Sequence, residues 1–542
     1  MSWLWSRSRP SARTSCPISF SAGIAPMRPL DFFDLAVRRY PDRVGAIDGH
    51  EQWTYRELQL ATHRIANALI GRGFKEQQRV AIYSRSDVLA LTAAIGVMRA
   101  GGIFIPVNGA AAFDSNVSFL RRVNPEWVLH QEDADEVAHR LRESLGAHVE
   151  IVSFRGRHST SLQEWLRTSS PAPPQDWADP TLNLDRVVTI VQSGGTTGLP
   201  KAVTIRNSAY TSYLEMYRRM LSYDDDLPVC LTTAQFTPGS LSMAVVMLTL
   251  GARQVVLPTF SAADALQWIE KFGVTHMWMS STALSALVSH PNSHTRDLSS
   301  VRALIVGGSA TSTQVLAQAV SLFGPHVHHT YGQVETGILA WFAAADIADS
   351  VRQSNVKRLG SCGRLNESMR VEIMASDGRL CGPAKTGEIV SRGRGVCEYD
   401  NDPEATLALR VHGWHHTGDV GHIDDDGFLF ISGRIRELIV TAGCNVFPRE
   451  VEQAISELPG VRECAVVGTS DSVLGEAVSA VIAVRRGQSL SPAEISLHCR
   501  RRLGAVKSPK IIEFWPDLPK TAAGKIDRLA IGDRLRASSQ RA

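Results

Sequence analysis

Ser193-Gly194-Gly195-Thr196-Thr197-Gly198-Leu199-Pro200-Lys201 decides the reading of this chain: nine residues with three glycines, two threonines and a lysine, following the β-branched run Val187-Val188-Thr189-Ile190-Val191. The run reads as a buried strand, and the glycines after it let backbone N–H groups turn toward an anion with no Cβ in the way. Hydroxyls of Ser193, Thr196 and Thr197 add donors, so the composition suits a phosphate cradle. A Walker A loop is excluded, because Pro200 and Ala202 stand where that pattern requires glycine and a hydroxyl. Taken alone, the loop is also compatible with a tight solvated turn between two strands.

The rest of the chain resolves that choice. In order come Tyr331-Gly332-Gln333-Val334-Glu335, then Trp414-His415-His416-Thr417-Gly418-Asp419, then Gly433-Arg434-Ile435-Arg436-Glu437, and last Pro519-Lys520-Thr521-Ala522-Ala523-Gly524-Lys525. In this order and at these separations the chain resembles the adenylate-forming superfamily of acyl-CoA synthetases, peptide-synthetase adenylation domains and luciferases. It looks most like a free-standing acyl- or aryl-CoA ligase, from about Pro29 to Arg528. The resemblance implies an α/β protein: a large N-terminal domain of layered α/β subdomains plus a small β subdomain, residues 29–434, then a small mobile C-terminal α/β domain, residues 435–542.

Bulk properties agree with a small-molecule enzyme. Lys and Arg number 57 against 54 Asp and Glu, so no bulk charge holds a nucleic acid or an anionic membrane. The eight cysteines (16, 230, 362, 381, 397, 444, 464 and 499) include no Cys-x-x-Cys pair, which argues against a disulfide framework or structural zinc and makes the cytoplasm the default location. No apolar run approaches the ~20 residues of a membrane span; Leu241 to Leu250 reads as a buried helix. Residues 1–28 carry Arg7, Arg9, Arg13 and Arg28, many serines and no acid, a composition also found in transit peptides; with Met27 as a second candidate start, they are expected to be a disordered extension.

Along the chain, helix-periodic segments such as Thr54 to Arg72 alternate with strands such as Val80 to Tyr83, the pattern of layered α/β architecture. The strand Ala303 to Val306 ends in Gly307-Gly308-Ser309, which marks close approach of backbone to a ligand or a neighbour. After Gly360 short strands with Asp-Gly turns predict the β subdomain. Helix Pro448 to Glu457 and strands Cys464 to Val467 and Val478 to Val484 predict the compact C-terminal unit.

The resemblance implies roles residue by residue. ATP phosphates fall to Ser193, Gly194, Gly195, Thr196, Thr197, Gly198 and Lys201; adenine to the turn Gly308-Ser309-Ala310 and the face of Tyr331 with Gly332; ribose hydroxyls to Asp419, supported by Arg434; and Mg2+ to Glu335 and Thr196. Lys525 is implied to reach the reacting carboxylate and α-phosphate, where a point charge on a flexible stem suits a moving anion. Thr196, Lys201, Glu335 and Lys525 thus form the expected catalytic set, and Phe236, Gly239, Gly332 and Val334 the acid pocket. Arg436 is the expected hinge of the small domain, and Gly443 in Ala442-Gly443-Cys444-Asn445 borders the expected path of the thiol, Cys444 being no nucleophile. Outside this ordered set Tyr331 would read as a core aromatic, Asp419 as a turn residue and Glu335 as a solvated carboxylate.

Three departures shape the reading. Ser193-Gly194 replaces the usual Thr-Ser and resembles aryl-acid enzymes; Val334 replaces a threonine beside the α-phosphate; and Phe236 stands where many relatives carry histidine or an asparagine that reads an ortho hydroxyl. Ser193-Gly194 and Phe236 favour an aryl or medium acyl acid over a salicylate, the lack of an Asp near Phe236 disfavours an amino acid, and Val334 removes one hydroxyl near the α-phosphate. The expected reaction is carboxylate plus ATP to acyl-adenylate, then transfer to CoA; a separate carrier protein's phosphopantetheine or an amine is the alternative acceptor. A non-catalytic scaffold and a luciferase-type oxygenase are the remaining readings, and the chain is expected to act as a monomer or homodimer.

Overall fold

The computed structural model describes residues 28–49, 51–131, 135–155, 161–174, 184–193, 201–221, 227–233, 238–393, 397–520 and 526–539. The β-branched run forms strand Val187–Gln192 and pairs antiparallel with Ala202–Arg206, Gln192 lying opposite Ala202. The Ser193 N–H donates to the Lys201 carbonyl at 2.8 Å, so the two strands stay paired up to the residues that flank the glycine-rich stretch. A Walker A loop runs from strand to helix; here strand returns to strand. Residues 194–200 lie outside the described residues, as do 1–27.

That strand pair belongs to a seven-stranded sheet whose order runs Glu398–Tyr399, Ala202–Arg206, Val187–Gln192, Ile103–Asn108, Arg79–Ser84, Trp127–His130, Glu150–Ser153. Its first strand comes from nearly two hundred residues downstream. A nine-stranded sheet runs Arg364–Leu365, Gly337–Phe342, Val327–Gln333, Ala303–Gly307, His276–Ser280, Val229–Thr232, Arg253–Val256, Val44–Ile47, Gln52–Thr54, parallel through its centre and antiparallel at both ends. Parallel strands buried on both faces require covering helices. Helices Tyr55–Ile70 and Val88–Arg99 supply one cover, the first opened by a capping box between Thr54 and Glu57. The predicted buried helix appears as Pro238–Thr249, with Met243 through Leu248 inside the core.

Beyond Gly360 the predicted β subdomain is a five-stranded antiparallel sheet: Arg370–Met374, Gly387–Arg392, Trp414–Ile423 and Arg410–Val411, with Leu429–Arg434 paired to Trp414–Ile423. A second five-stranded sheet holds Cys444–Val446, Ile439–Thr441, Gly475–Val484 and Val461–Asp471, with Ile511–Phe514 paired to Gly475–Val484. Arg434 ends the first of these sheets and Ile439 begins the second, with the short 3-10 turn Ile435–Glu437 between them. The seven described cysteines are all free thiols, and no described helix is long and apolar enough to cross a membrane. The fold is therefore the layered α/β architecture expected: a large N-terminal part of several sheets and a smaller C-terminal α/β unit.

Candidate active site

The strand Val327–Gln333 is the spine of the site. Its partner Gly337–Phe342 shifts register between Tyr331 and Gly332, a bulge that re-aims the side chains that follow. Only glycine fits at 332, since a Cβ there would lie 2.0 Å from the Gly337 carbonyl oxygen. On the other flank the parallel pair Val306 with His329 brings the end of strand Ala303–Gly307 alongside Tyr331. Gly308 has φ +83°, outside the comfortable range of other residues, and turns the chain into the exposed stretch Gly308-Ser309-Ala310. The Ser281 hydroxyl pins that stretch by donating to the Ser309 carbonyl at 2.9 Å.

Asp419 is the focus of the end where the nucleoside is expected. It is buried, and its Oδ2 accepts from the Tyr331 hydroxyl at 2.7 Å and from Gln333 Nε2 at 3.0 Å, while Oδ1 accepts from Arg434 Nε at 2.9 Å. Asp419 and Arg434 face each other across paired strands. A carboxylate offers about four lone-pair positions, so with three filled Oδ1 keeps one for a further donor such as a ribose hydroxyl. The loop that presents Asp419 is fixed from behind. Glu388 accepts from the Gly418 N–H at 2.9 Å and contacts His416 Nδ1 at 2.8 Å, and the Thr417 hydroxyl accepts from the Asp419 N–H at 3.1 Å. Burial, and then the Asp419 charge beside it, push the Tyr331 phenol well above its ordinary range, keeping it a donor. Burial together with the facing Arg449 holds His329 down to about 4, a neutral ring in the wall of the site.

The end where the phosphates are expected lies past the bulge. Glu335 Oε1 accepts from the Tyr399 hydroxyl at 3.0 Å, and the Glu335 carbonyl accepts from the Cys397 N–H at 2.7 Å. The Lys201 ammonium stands 4.3 Å from the centre of the Tyr399 ring. Among the described residues no cluster of three or more His, Cys, Asp or Glu could cage a metal. Glu335 nevertheless fits Mg2+, which is usually bound by one or two carboxylates with phosphate oxygens and water completing its shell; Oε1 carries the hydrogen bond and Oε2 is left for a cation.

Most of the expected residues that are described thus gather on one strand and its neighbours: Lys201, Gly308, Ser309, Ala310, Tyr331, Gly332, Glu335, Asp419 and Arg434. Ser193 is buried just past the strand Val187–Gln192 and accepts from the Lys201 N–H at 3.3 Å. Val334 is half-buried against the first core cluster, and the neighbouring Thr336 hydroxyl does not replace the missing one, being spent on the Gly337 carbonyl at 3.1 Å. Gly239 falls in the first turn of helix Pro238–Thr249. Arg436 is exposed on the 3-10 turn, and its charge lowers the Tyr399 phenol's pKa, against the larger upward push of burial. Gly443, φ +73°, tips the exposed hairpin between Ile439–Thr441 and Cys444–Val446 with open space around it. Gly194, Gly195, Thr196, Thr197, Gly198, Phe236 and Lys525 lie outside the described residues. Gln333 and Tyr399 were not anticipated from the sequence. Trp278 is a third addition: its ring would be 3.7 Å from a Cβ at Gly308, and it borders an apolar cluster with Ile338, Tyr217 and Trp341.

Comparison with known proteins places this geometry. Residues 33–398 match the AMP-binding enzyme family and residues 450–525 match the AMP-binding enzyme C-terminal domain. The medium/long-chain-fatty-acid–CoA ligase FadD8 of Mycobacterium tuberculosis is 34% identical over 379 residues, covering 68% of this chain and 65% of that protein. The indoleacetate–CoA ligase of Aromatoleum aromaticum is 30% identical over 494 residues, 90% of this chain and 92% of that protein. The solved structure of the anthranilate CoA ligase AuaEII with anthranoyl-AMP shares the fold, with a TM-score of 0.84 at 22% identity over 94% of this chain and 98% of that one.

Proposed function

The chain belongs to the AMP-binding enzyme family, and on that premise we propose that it is an AMP-forming acid–thiol ligase that activates an aryl or medium acyl carboxylic acid with ATP and passes the acyl group to CoA. The observation that carries this reading is the division of labour along one strand. Tyr331 and Gln333, one on each side of the bulge, hold the acid Asp419, and two residues further on Glu335 sits with Tyr399 and Lys201. The two ends are four residues apart, at most ~14 Å of chain, a span suited to a nucleoside at one end and its phosphates at the other.

In the first half-reaction a carboxylate oxygen attacks the α-phosphorus and pyrophosphate departs. Positive charge and positioning dominate such a displacement. Lys201 and Lys525 supply positive charge, Asp419 receives ribose hydroxyls, and Gly308 to Ala310 meet the base. Mg2+, held by Glu335 and Thr196, would neutralise charge on the phosphates. In the second, a thiolate attacks the acyl carbonyl and AMP departs, the hairpin at Gly443 bordering its path and Arg436 acting as the hinge between residues 29–434 and the C-terminal domain. The acids for which the two relatives are named, a medium/long-chain fatty acid and indoleacetate, both have apolar bodies, and the apolar cluster bordered by Trp278 and Ile338 suits that class.

The test is pyrophosphate release across aryl, fatty and amino acids, with and without CoA, and mass spectrometry of the thioester. An apolar acid that yields both pyrophosphate and CoA thioester supports the proposal. Silence across the panel refutes it, and pyrophosphate without a CoA product redirects the acyl group to a carrier protein or an amine.

A further inference from the structure

Residues 397–400 form a short crossbar between the two halves of the phosphate end. The strand Glu398–Tyr399 pairs antiparallel with Ala202–Arg206, placing Tyr399 opposite Val203, two residues beyond Lys201. Its position is fixed on every side. The Tyr399 N–H donates to the Thr406 hydroxyl at 3.0 Å, and the Asp400 N–H to the Ala202 carbonyl at 2.8 Å. Arg79 forks onto the Asp400 carboxylate at 2.9 and 3.0 Å, a bidentate geometry that fixes orientation as well as distance. Arg206 reaches Glu398 at 2.9 Å. What this heavily tied strand carries into the site is one phenol.

From these contacts we infer that Tyr399 is a positioning residue that sets the metal-site carboxylate and the phosphate-site ammonium relative to each other. Its hydroxyl donates to Glu335 Oε1 at 3.0 Å, while the adjacent Cys397 N–H donates to the Glu335 carbonyl at 2.7 Å, so Glu335 is held by side chain and main chain from the same segment. With Oε1 holding the Tyr399 hydroxyl, the carboxylate cannot swing freely, and Glu335 would offer its other oxygen to a cation. The ring face serves the other partner. An ammonium 4.3 Å from the centroid lies well inside the ~6 Å reach of a cation–π contact. Tyr399 is 9% exposed, so little water competes for the hydrogen bond between its hydroxyl and Glu335. The role requires both a hydroxyl and a ring, which among the amino acids only tyrosine offers with this reach.

The inference rests on the adenylation reading, and the test separates the two. Mn2+ binding is followed by electron paramagnetic resonance with the full-length protein and α,β-methylene-ATP, and metal-free nucleotide affinity by calorimetry in EDTA. Tyr399→Phe keeps the ring and loses the hydroxyl. It should weaken Mn2+ about ten-fold, the order expected for a lost hydrogen bond to a charged group, and leave metal-free nucleotide affinity within two-fold. Tyr399→Leu removes both and should weaken metal-free nucleotide binding as well, through Lys201. Mn2+ affinity of Tyr399→Phe within two-fold of the parent, with wild-type binding intact, overturns the positioning role alone. A wild-type protein that binds neither nucleotide nor metal overturns the adenylation reading and this inference with it. Because Phe is nearly isosteric and retains the apolar contacts, circular dichroism of that variant is expected to be native, and loss of fold in Tyr399→Leu leaves the Phe result decisive.

Discussion

Asp419→Asn separates a nucleotide-binding acid from a merely structural ion pair. The substitution preserves shape but turns one of two acceptor oxygens into a donor. If the amide oxygen faces Tyr331 and Gln333, the new NH2 confronts Arg434 Nε–H; the reverse orientation sacrifices two bonds instead of one. The cheaper arrangement therefore loses the Arg434 contact, and a charge-assisted hydrogen bond of this kind is worth about 1.5–3 kcal/mol. The Arg434 side chain keeps 35% exposure, so water recovers part of that loss and about 1–2 kcal/mol is the reasonable cost to stability. AMP affinity suffers separately, because the remaining lone-pair position on Oδ1 disappears along with the charge. A ribose hydroxyl deprived of a charged acceptor loses a similar energy, about a 10- to 100-fold rise in Kd. Calorimetric titration with AMP gives the second quantity, and thermal melting with and without AMP gives the first. Destabilisation with AMP affinity unchanged would refute the reasoning, leaving Asp419 as a core ion pair beneath Tyr331.

Gly332→Ala should abolish soluble expression or adenylate formation, since its Cβ would sit 2.0 Å from the Gly337 carbonyl; a native melting curve with full pyrophosphate release would contradict that. Burial holds His276, His328, His329 and His415 down to about 4 in the fold. Their unfolded value is about 6.5, so the unfolded chain binds more protons between the two values, and stability is complete above pH 6.5 and falls as pH drops toward 4, by up to about 1.4 kcal/mol per histidine per unit. Melting temperature unchanged from pH 7.5 to 5 would show these rings to be wetter than the fold implies. Lys525→Ala is expected to stop pyrophosphate release while ATP binding survives; an unchanged adenylation rate removes Lys525 from the reaction.

Sequence order singled out the residues that meet around Asp419. Taken alone Tyr331 and Asp419 would read as a core aromatic and a turn residue; it is the ordered set of motifs that marks them and Arg434, and the structure joins the three by contacts of 2.7 and 2.9 Å. What the sequence did not carry was anything fixed by register. Gln333 reaches Asp419 because a bulge at Tyr331 and Gly332 rotates the strand, and a bulge is set by the partner strand's pairing. Tyr399 lies in a two-residue strand whose partner is Ala202–Arg206, and so short a strand has no periodicity to read. The signal that existed was the aromatic residue within Cys397 to Asp400, a β-favouring side chain in an otherwise polar turn. The stretch from 194 to 200 was legible as a phosphate cradle and equally as a strand-to-strand turn, and the pairing of the strands on either side bears on the second description alone.

The placement of Arg434 ties occupancy of the nucleotide site to the geometry of the proposed hinge. This residue is the last of the strand Leu429–Arg434 and the partner of Asp419, and the very next residue begins the 3-10 turn Ile435–Glu437. That turn is tied in its own right to the C-terminal sheet, for Glu437 pairs with Arg528 at 3.4 Å and Arg528 also forks onto Glu452 of helix Pro448–Ser456. Phe447 meanwhile packs so closely over Gly433 that any larger residue there would strike its ring, a Cβ lying 2.5 Å from it. A rotation about Arg436 therefore cannot start as free motion in a linker: it has to separate Phe447 from Gly433 on one side while Asp419 holds Arg434 on the other. A ribose hydroxyl that donates to the remaining lone-pair position on Asp419 Oδ1 shares the carboxylate with Arg434, so binding or release of a nucleotide alters the anchor of the proposed hinge without touching the small domain. The energy available is that of one or two charge-assisted hydrogen bonds, a few kcal/mol, which is the scale on which a two-state domain equilibrium is moved from one side to the other.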